Sequence, residues 1–235
     1  SYRWNQQQDD AELVGEAGTS QAFELRDPSS TSREQVWRFP SRNECFGCHT
    51  GNSGFVLGFT VPQLNRDHDY GNKHDNQLRA LSHLGVIAGL WTRRHAYGNL
   101  PLDPAKALPR TVARTDNHAP LEARARAYLK TNCAHCHIYF GGISTASAPF
   151  YQMLSGRLPN SMTRLNVPPS KGDFGISHAQ LIAPGDPQRS IVYRRMTTIE
   201  HGRMPNIGSA VVDESGSQLV SDWIRSLPPS YFDDR

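Results

Sequence analysis

Apolar and polar residues alternate in short stretches over positions 1–40, in SYRW, AELV, AFEL and QVWRF, each bounded by Gly, Ser, Asp or Pro. Period-two alternation of that length predicts short strands or an extended arm. Trp4 and Trp37 fall within these stretches and read as ordinary packing residues. From Ser41 the pattern changes. Ser41 followed three residues later by Glu44 has the form of a capping box and predicts the start of a short helix. Beyond the glycine-rich GNSGFVLGF and the polar QLNRDHDYGNKHDN, Leu78, Leu81, Leu84 and Ile87 recur at mostly helical spacing and predict a helix from about Asn76. Pro101, Pro104 and Pro109 then interrupt regular structure, which places a module boundary close to Arg110.

The second half is more strongly periodic. In DNHAPLEARARAYLKTNCAHCH, Leu121, Ala125, Tyr128 and Leu129 share a helical face, with Asp116 or Asn117 as the expected cap and Pro120 in the first turn. Near the end, DESGSQLVSDWIRSL places Leu219, Val220, Trp223, Ile224 and Leu227 on one face of another helix. The expected architecture is mainly α: an extended or β-like arm over 1–40, a first module over 41–110 and a second over 111–235, joined by loop-rich connections.

Composition sharpens this picture in two respects. Hydrophobic residues make up only 37% of the 235, against 19 Gly and 16 Pro, as expected of a loop-rich chain whose core is completed by something other than side chains. The formal charge of +3 is spread along the chain, so nucleic acid is not an expected partner. The longest apolar stretch, GVIAGLW at Gly85 to Trp91, is far short of the roughly 18–20 residues of a membrane span. An export signal is absent from this chain, which begins at Ser1 without a basic and apolar leader.

All four cysteines lie in two pentapeptides of the form Cys-x-x-Cys-His, in NECFGCHT and TNCAHCHI. Residues three apart share a helical face, so Cys45 with Cys48, and Cys133 with Cys136, each aim two sulfurs at one flat ligand. His49 and His137 follow beneath its centre. This is the pattern of covalent haem c, with two thioethers to the macrocycle and a proximal imidazole on each iron. Zinc and a redox dithiol use the same cysteine spacing, but neither requires a histidine at that place in both copies. Two covalently bound haem c groups are therefore expected, and attachment of that kind places the protein outside the cytoplasm, in a periplasm or beyond it.

With these motifs in view, residues 117–228 resemble one class I cytochrome c domain: ARAYLKTNCAHCH, then a long middle segment, PGDPQRSIVYRRM, GRMPNIG and a closing helix. The resemblance implies that Met204, in the loop HGRMPNIG before the last helix, is the distal ligand of the second iron, and that Gly141 to Ala183 is a loop insertion. Met153, Met162 and Met196 read as packing residues by comparison. Together with PSRNECFGCHTGNSGFVLGFTVPQLNRD, the whole chain resembles the planctomycete-type dihaem cytochrome modules. Those modules occur alone or attached to a larger chain, sometimes one resembling a quinoprotein sugar dehydrogenase, which makes such an enzyme a candidate partner.

The first module departs from the family pattern, because Thr50 to Pro109 contains no Met. His68, His74, His83 and His95 lie there, and His83 and His68 are the candidate distal ligands of the first iron. A methionine lent by the second module, with Met196 best placed, or an open position are the alternatives. Two imidazoles would give a lower potential than Met/His ligation, so electrons would run from the first haem to the second.

The expected activity is a relay of single electrons between a donor and an acceptor protein, with no catalytic constellation of its own. A dihaem peroxidase-like or small-substrate oxidoreductase with an open first haem is the enzyme alternative. A structural unit of an electron-conducting assembly is the third reading, and the oligomeric state is left open.

Overall fold

The computed structural model describes residues 1–26, 32–87, 106, 108–137 and 166–230. Strands β1 (Tyr2–Trp4) and β2 (Ala11–Leu13) pair antiparallel, with Arg3 directly opposite Glu12 and their charged groups 3.4 Å apart. Strands β3 (Thr19–Arg26) and β4 (Ser32–Phe39) form a longer hairpin, registered from Thr19 opposite Phe39 to Arg26 opposite Ser32. The alternation in the first forty residues thus produces paired strands. Among the described residues of the arm only Phe39 is buried, and Trp4 and Trp37 are exposed rather than packed.

Helix α1 (Arg42–Phe46) begins with the expected capping box. The Ser41 hydroxyl accepts from the Glu44 amide at 3.1 Å, and the Glu44 carboxylate accepts from the Ser41 amide at 2.7 Å. A short helix α2 (Val61–Leu64) and the two-stranded pair β5 (Asp67–Asp69) and β6 (His74–Asn76) follow. Helix α3 (Gln77–His83) is capped by Asn76, whose side-chain oxygen accepts from the Leu78 and Arg79 amides. It stops at His83, so Leu84 and Val86 fall outside it and are exposed. The buried Asn76 amide donates to Asn65, which donates in turn to the Leu108 carbonyl at 2.8 Å, so this relay meets the requirement that buried polar groups be paired.

Helices α4 (Leu121–Cys133), α5 (Ile191–Met196) and α6 (Glu214–Ser226) build the main core. Ala125 and Leu129 of α4 meet Leu219, Val220, Trp223 and Ile224 of α6, with Ile182 and Leu227 completing the cluster. These are the apolar positions that helical spacing singled out. Ile182 and Ala183 are fully buried, so the end of the middle segment, though loop in its backbone, contributes to the core. The caps differ from expectation. Pro120 itself occupies the N-cap of α4, while Asp116 accepts from the His118 amide in the preceding turn. At α6 Asp213 is the cap, accepting from the Gly216 amide at 3.0 Å.

The expectation of a mainly α fold is overturned. The described residues are 31% helical and 17% strand, in six helices and small antiparallel sheets, which is weakly a mixed α/β arrangement. The physical reason lies in the N-terminal arm and in Asp67–Asn76, where hairpin pairing supplies backbone partners in place of helix. No helix among the described residues is long and apolar enough to cross a membrane.

Candidate functional site

The two pentapeptides meet. Cys48 and Cys136 are joined by a disulfide, their Cα atoms 4.6 Å apart across 88 residues of sequence, while Cys45 and Cys133 are free thiols. Each pentapeptide is set at the end of a helix. In both, the histidine amide bonds back to the first cysteine's carbonyl at 3.0 Å, His49 to Cys45 and His137 to Cys133. The two motifs therefore share one local backbone form, a helical turn that continues past the second cysteine.

His49 is exposed, and its Nδ1 lies 2.5 Å from the Phe55 carbonyl oxygen. A carbonyl only accepts, so Nδ1 is the donor in this contact. A second bond of this kind orients a metal-binding imidazole and sets its tautomer. In the flanking sequence Phe46 (62% exposed), Phe55, Val56 and Phe59 (74% exposed) all lie at the surface.

At the second motif, Cys133 lines a cavity of about 200 Å³ together with Met196, Met204, Tyr128, Ile199 and Val211. Burial pushes the Cys133 thiol up to about 12, so it is protonated at neutral pH. His137 is pulled below the ordinary imidazole value, first by burial and then by His135 and Arg195 nearby, which keeps it neutral. The loop carrying Met204 is anchored from α5. The Met204 amide donates to the Arg195 carbonyl at 2.9 Å, and the Arg195 guanidinium donates to the Gly202 carbonyl at 2.7 Å. Gly202 has φ +88°, and a Cβ there would overlap the Phe174 ring, so glycine is required at that turn.

The remaining candidates lie elsewhere. His68 packs edge-on against Tyr70, His74 lies 3.8 Å from Asp69, and His83 is exposed at the end of α3. None of these contacts involves His49 or a cysteine. His95, Met153 and Met162 lie outside the described residues. Met196 lines the second-site cavity with Cys133 and Met204, a role that sequence spacing alone did not indicate. Phe55 and Phe59 were legible only as part of a glycine-rich loop, because exposure is a property of the folded chain.

The donor set fits haem c in kind. Each motif offers a histidine, that of the second held below the ordinary imidazole value by burial, and the second adds a thioether on the cavity that holds its cysteine. No cluster of three or more His, Cys, Asp or Glu side chains gathers among the described residues. Haem iron does not require one, since its in-plane ligands come from the macrocycle. One sulfur of each motif is engaged in the disulfide, so the full set of four thiols belongs to the reduced chain. No protein family, curated protein or solved structure matches the chain.

Proposed function

We propose that the chain is a dihaem c-type cytochrome module that relays single electrons between a redox donor protein and an acceptor outside the cytoplasm. The observation that carries this reading is the duplication of Cys-x-x-Cys-His with no cysteine elsewhere. The meeting of the two motifs through Cys48 and Cys136 supports it, because efficient transfer needs the two centres close together. A bound haem supplies the one-electron chemistry. The chain's own residues would do the rest. Cys45, Cys48, Cys133 and Cys136 hold the macrocycles, and His49 and His137 supply proximal imidazoles. Met204 supplies a thioether from a loop held by Arg195. A quinoprotein-type dehydrogenase is the candidate partner, by the resemblance of the whole chain to dihaem modules.

The geometry around the first motif favours a second reading there. His68 packs on Tyr70, His74 lies beside Asp69 and His83 is exposed, and none of these contacts is with His49. A first iron with an open distal position would suit small-substrate or peroxidase-like chemistry. Low-temperature EPR of the fully oxidised, haem-loaded protein separates the two. Two low-spin ferric signals support the relay, whereas a high-spin signal from half the haem assigns substrate chemistry to the first site. A chain that takes up no haem under reducing conditions refutes both.

A further inference from the structure

We propose that the N-terminal arm carries a second binding site, a groove that takes a neutral oligosaccharide. The groove has a volume of about 430 Å³ and is lined both by the β1–β2 hairpin, through Arg3, Trp4 and Gln6, and by Ser20 and Gln21 of β3. That volume falls within the range of small-molecule sites, about 300–1,000 Å³. None of these residues belongs to either Cys-x-x-Cys-His motif, and the groove needs no haem to act.

Trp4 is the platform of the site. It is 60% exposed, and the residue opposite it across the hairpin is Ala11, whose methyl group covers little of an indole. So large an apolar ring is stabilised by cover, and no core residue supplies it here. The ligand that suits Trp4 presents a flat apolar face ringed by polar groups. A pyranose does this: its C–H face is weakly positive and meets the negative face of the indole, while its hydroxyls point outward in the ring plane.

The polar lining matches those hydroxyls. Gln6 and Gln21 each carry an amide that both donates and accepts, and the Ser20 hydroxyl does the same. Among the described residues none of these three side chains has a hydrogen-bond partner, so their capacity is open to a ligand. Asn5 is committed differently. Its amide donates to the Asp9 carboxylate at 2.6 Å and its side-chain oxygen accepts from the Asp9 amide at 3.3 Å, which holds the turn after β1.

Charge decides the class of ligand. The ionic side chains on the groove are Arg3 and Glu12, which lie 3.4 Å apart and offset one another. A phosphate or an acidic sugar needs unpaired cations, and the groove offers it none. An extended peptide needs apolar pockets at alternate positions, whereas one aromatic ring among amides and a hydroxyl serves a sugar. The arm then tethers the chain to a neutral polysaccharide.

Isothermal titration calorimetry of the full chain with cellohexaose, xylohexaose and laminarihexaose tests the assignment, beside hexagalacturonate and a lysine-flanked Thr-Val repeat peptide. At least one neutral hexasaccharide should bind. Trp4→Ala should weaken that binding by about tenfold, and Gln21→Ala by less. Trp4→Phe should keep part of the affinity, because a smaller ring retains a stacking face. Trp37→Ala, on β4 and outside the groove, should leave it unchanged. Trp4 is exposed, so the variants should share the parent's urea midpoint. Binding of no neutral hexasaccharide, binding that survives both Trp4→Ala and Gln21→Ala, or tighter uptake of hexagalacturonate or the peptide would overturn the assignment.

Discussion

The amide of Met204 donates a 2.9 Å hydrogen bond to the carbonyl of Arg195, which fixes the methionine loop to the helix that ends at Met196. Both methionines reach the cavity that Cys133 lines. Met204→Ala in the haem-loaded protein should therefore lower the reduction potential of one haem and leave the other unchanged, since thioether ligation raises the potential. Met196→Leu, which keeps the volume but removes the sulfur, should leave both nearly unchanged. Spectroelectrochemical titration of the two variants beside the parent checks this, and equal shifts in both would remove Met204 from its assigned place.

Reducing the Cys48–Cys136 bond should weaken the haem-free fold. The bond closes a loop of 88 residues, and the entropy of opening it in the unfolded chain corresponds to about 4.6 kcal/mol. Urea unfolding of the haem-free protein with and without dithiothreitol measures the loss. Cys45 and Cys133 are already thiols, so a Cys45→Ser change should reproduce little of it.

Gly216 brings α6 against α4. A Cβ at this position would overlap the Tyr128 ring, whose hydroxyl donates to Asp213 at 3.1 Å, and Asp213 also accepts from Arg114. Gly216→Ala should cost about 1–3 kcal/mol through overpacking, despite the better helix propensity of alanine. Its midpoint in chemical denaturation should fall, and the double variant Gly216→Ala with Tyr128→Leu should recover part of the loss.

The cap of α1 carries a pH dependence of defined sign. Glu44 is held down to about 2, by the Ser41 amide first, then by Arg38 and the Ser41 hydroxyl, from an ordinary value of 4.5. A depressed folded value means the stabilisation is fully present above the unfolded value and is lost as pH falls through the folded one. The window is therefore roughly pH 4.5 down to 2. The carboxylate is over a third exposed, so the amount should stay below about 1 kcal/mol. Glu44→Gln should flatten that part of the acid limb in pH-resolved unfolding, and Ser41→Ala should cost about 0.5–2 kcal/mol at neutral pH.

Asp213 should add to the same limb. Burial raises it, but bonds from the Gly216 amide, Ser215, Tyr128 and Arg114 together hold it below the ordinary carboxylate range. Asp213→Asn should lower stability at neutral pH and reduce the fall toward acid, by the same sign argument as for Glu44.

What the sequence by itself determined is mostly local. The capping box of Ser41 and Glu44, the strands of the arm, and the buried faces of Leu121–Cys133 and Glu214–Ser226 follow from spacings within a few residues. The two Cys-x-x-Cys-His pentapeptides are legible for the same reason, because their chemistry depends on one helical turn. The tertiary structure alone decided that Cys48 and Cys136 come together, that Met196 shares a cavity with Cys133 and Met204, and that Trp4 and Trp37 stay exposed. It also decided the mixed α/β class. Each of these turns on contacts, or on missing cover, between segments remote in sequence, and periodicity carries no record of which remote surfaces will meet.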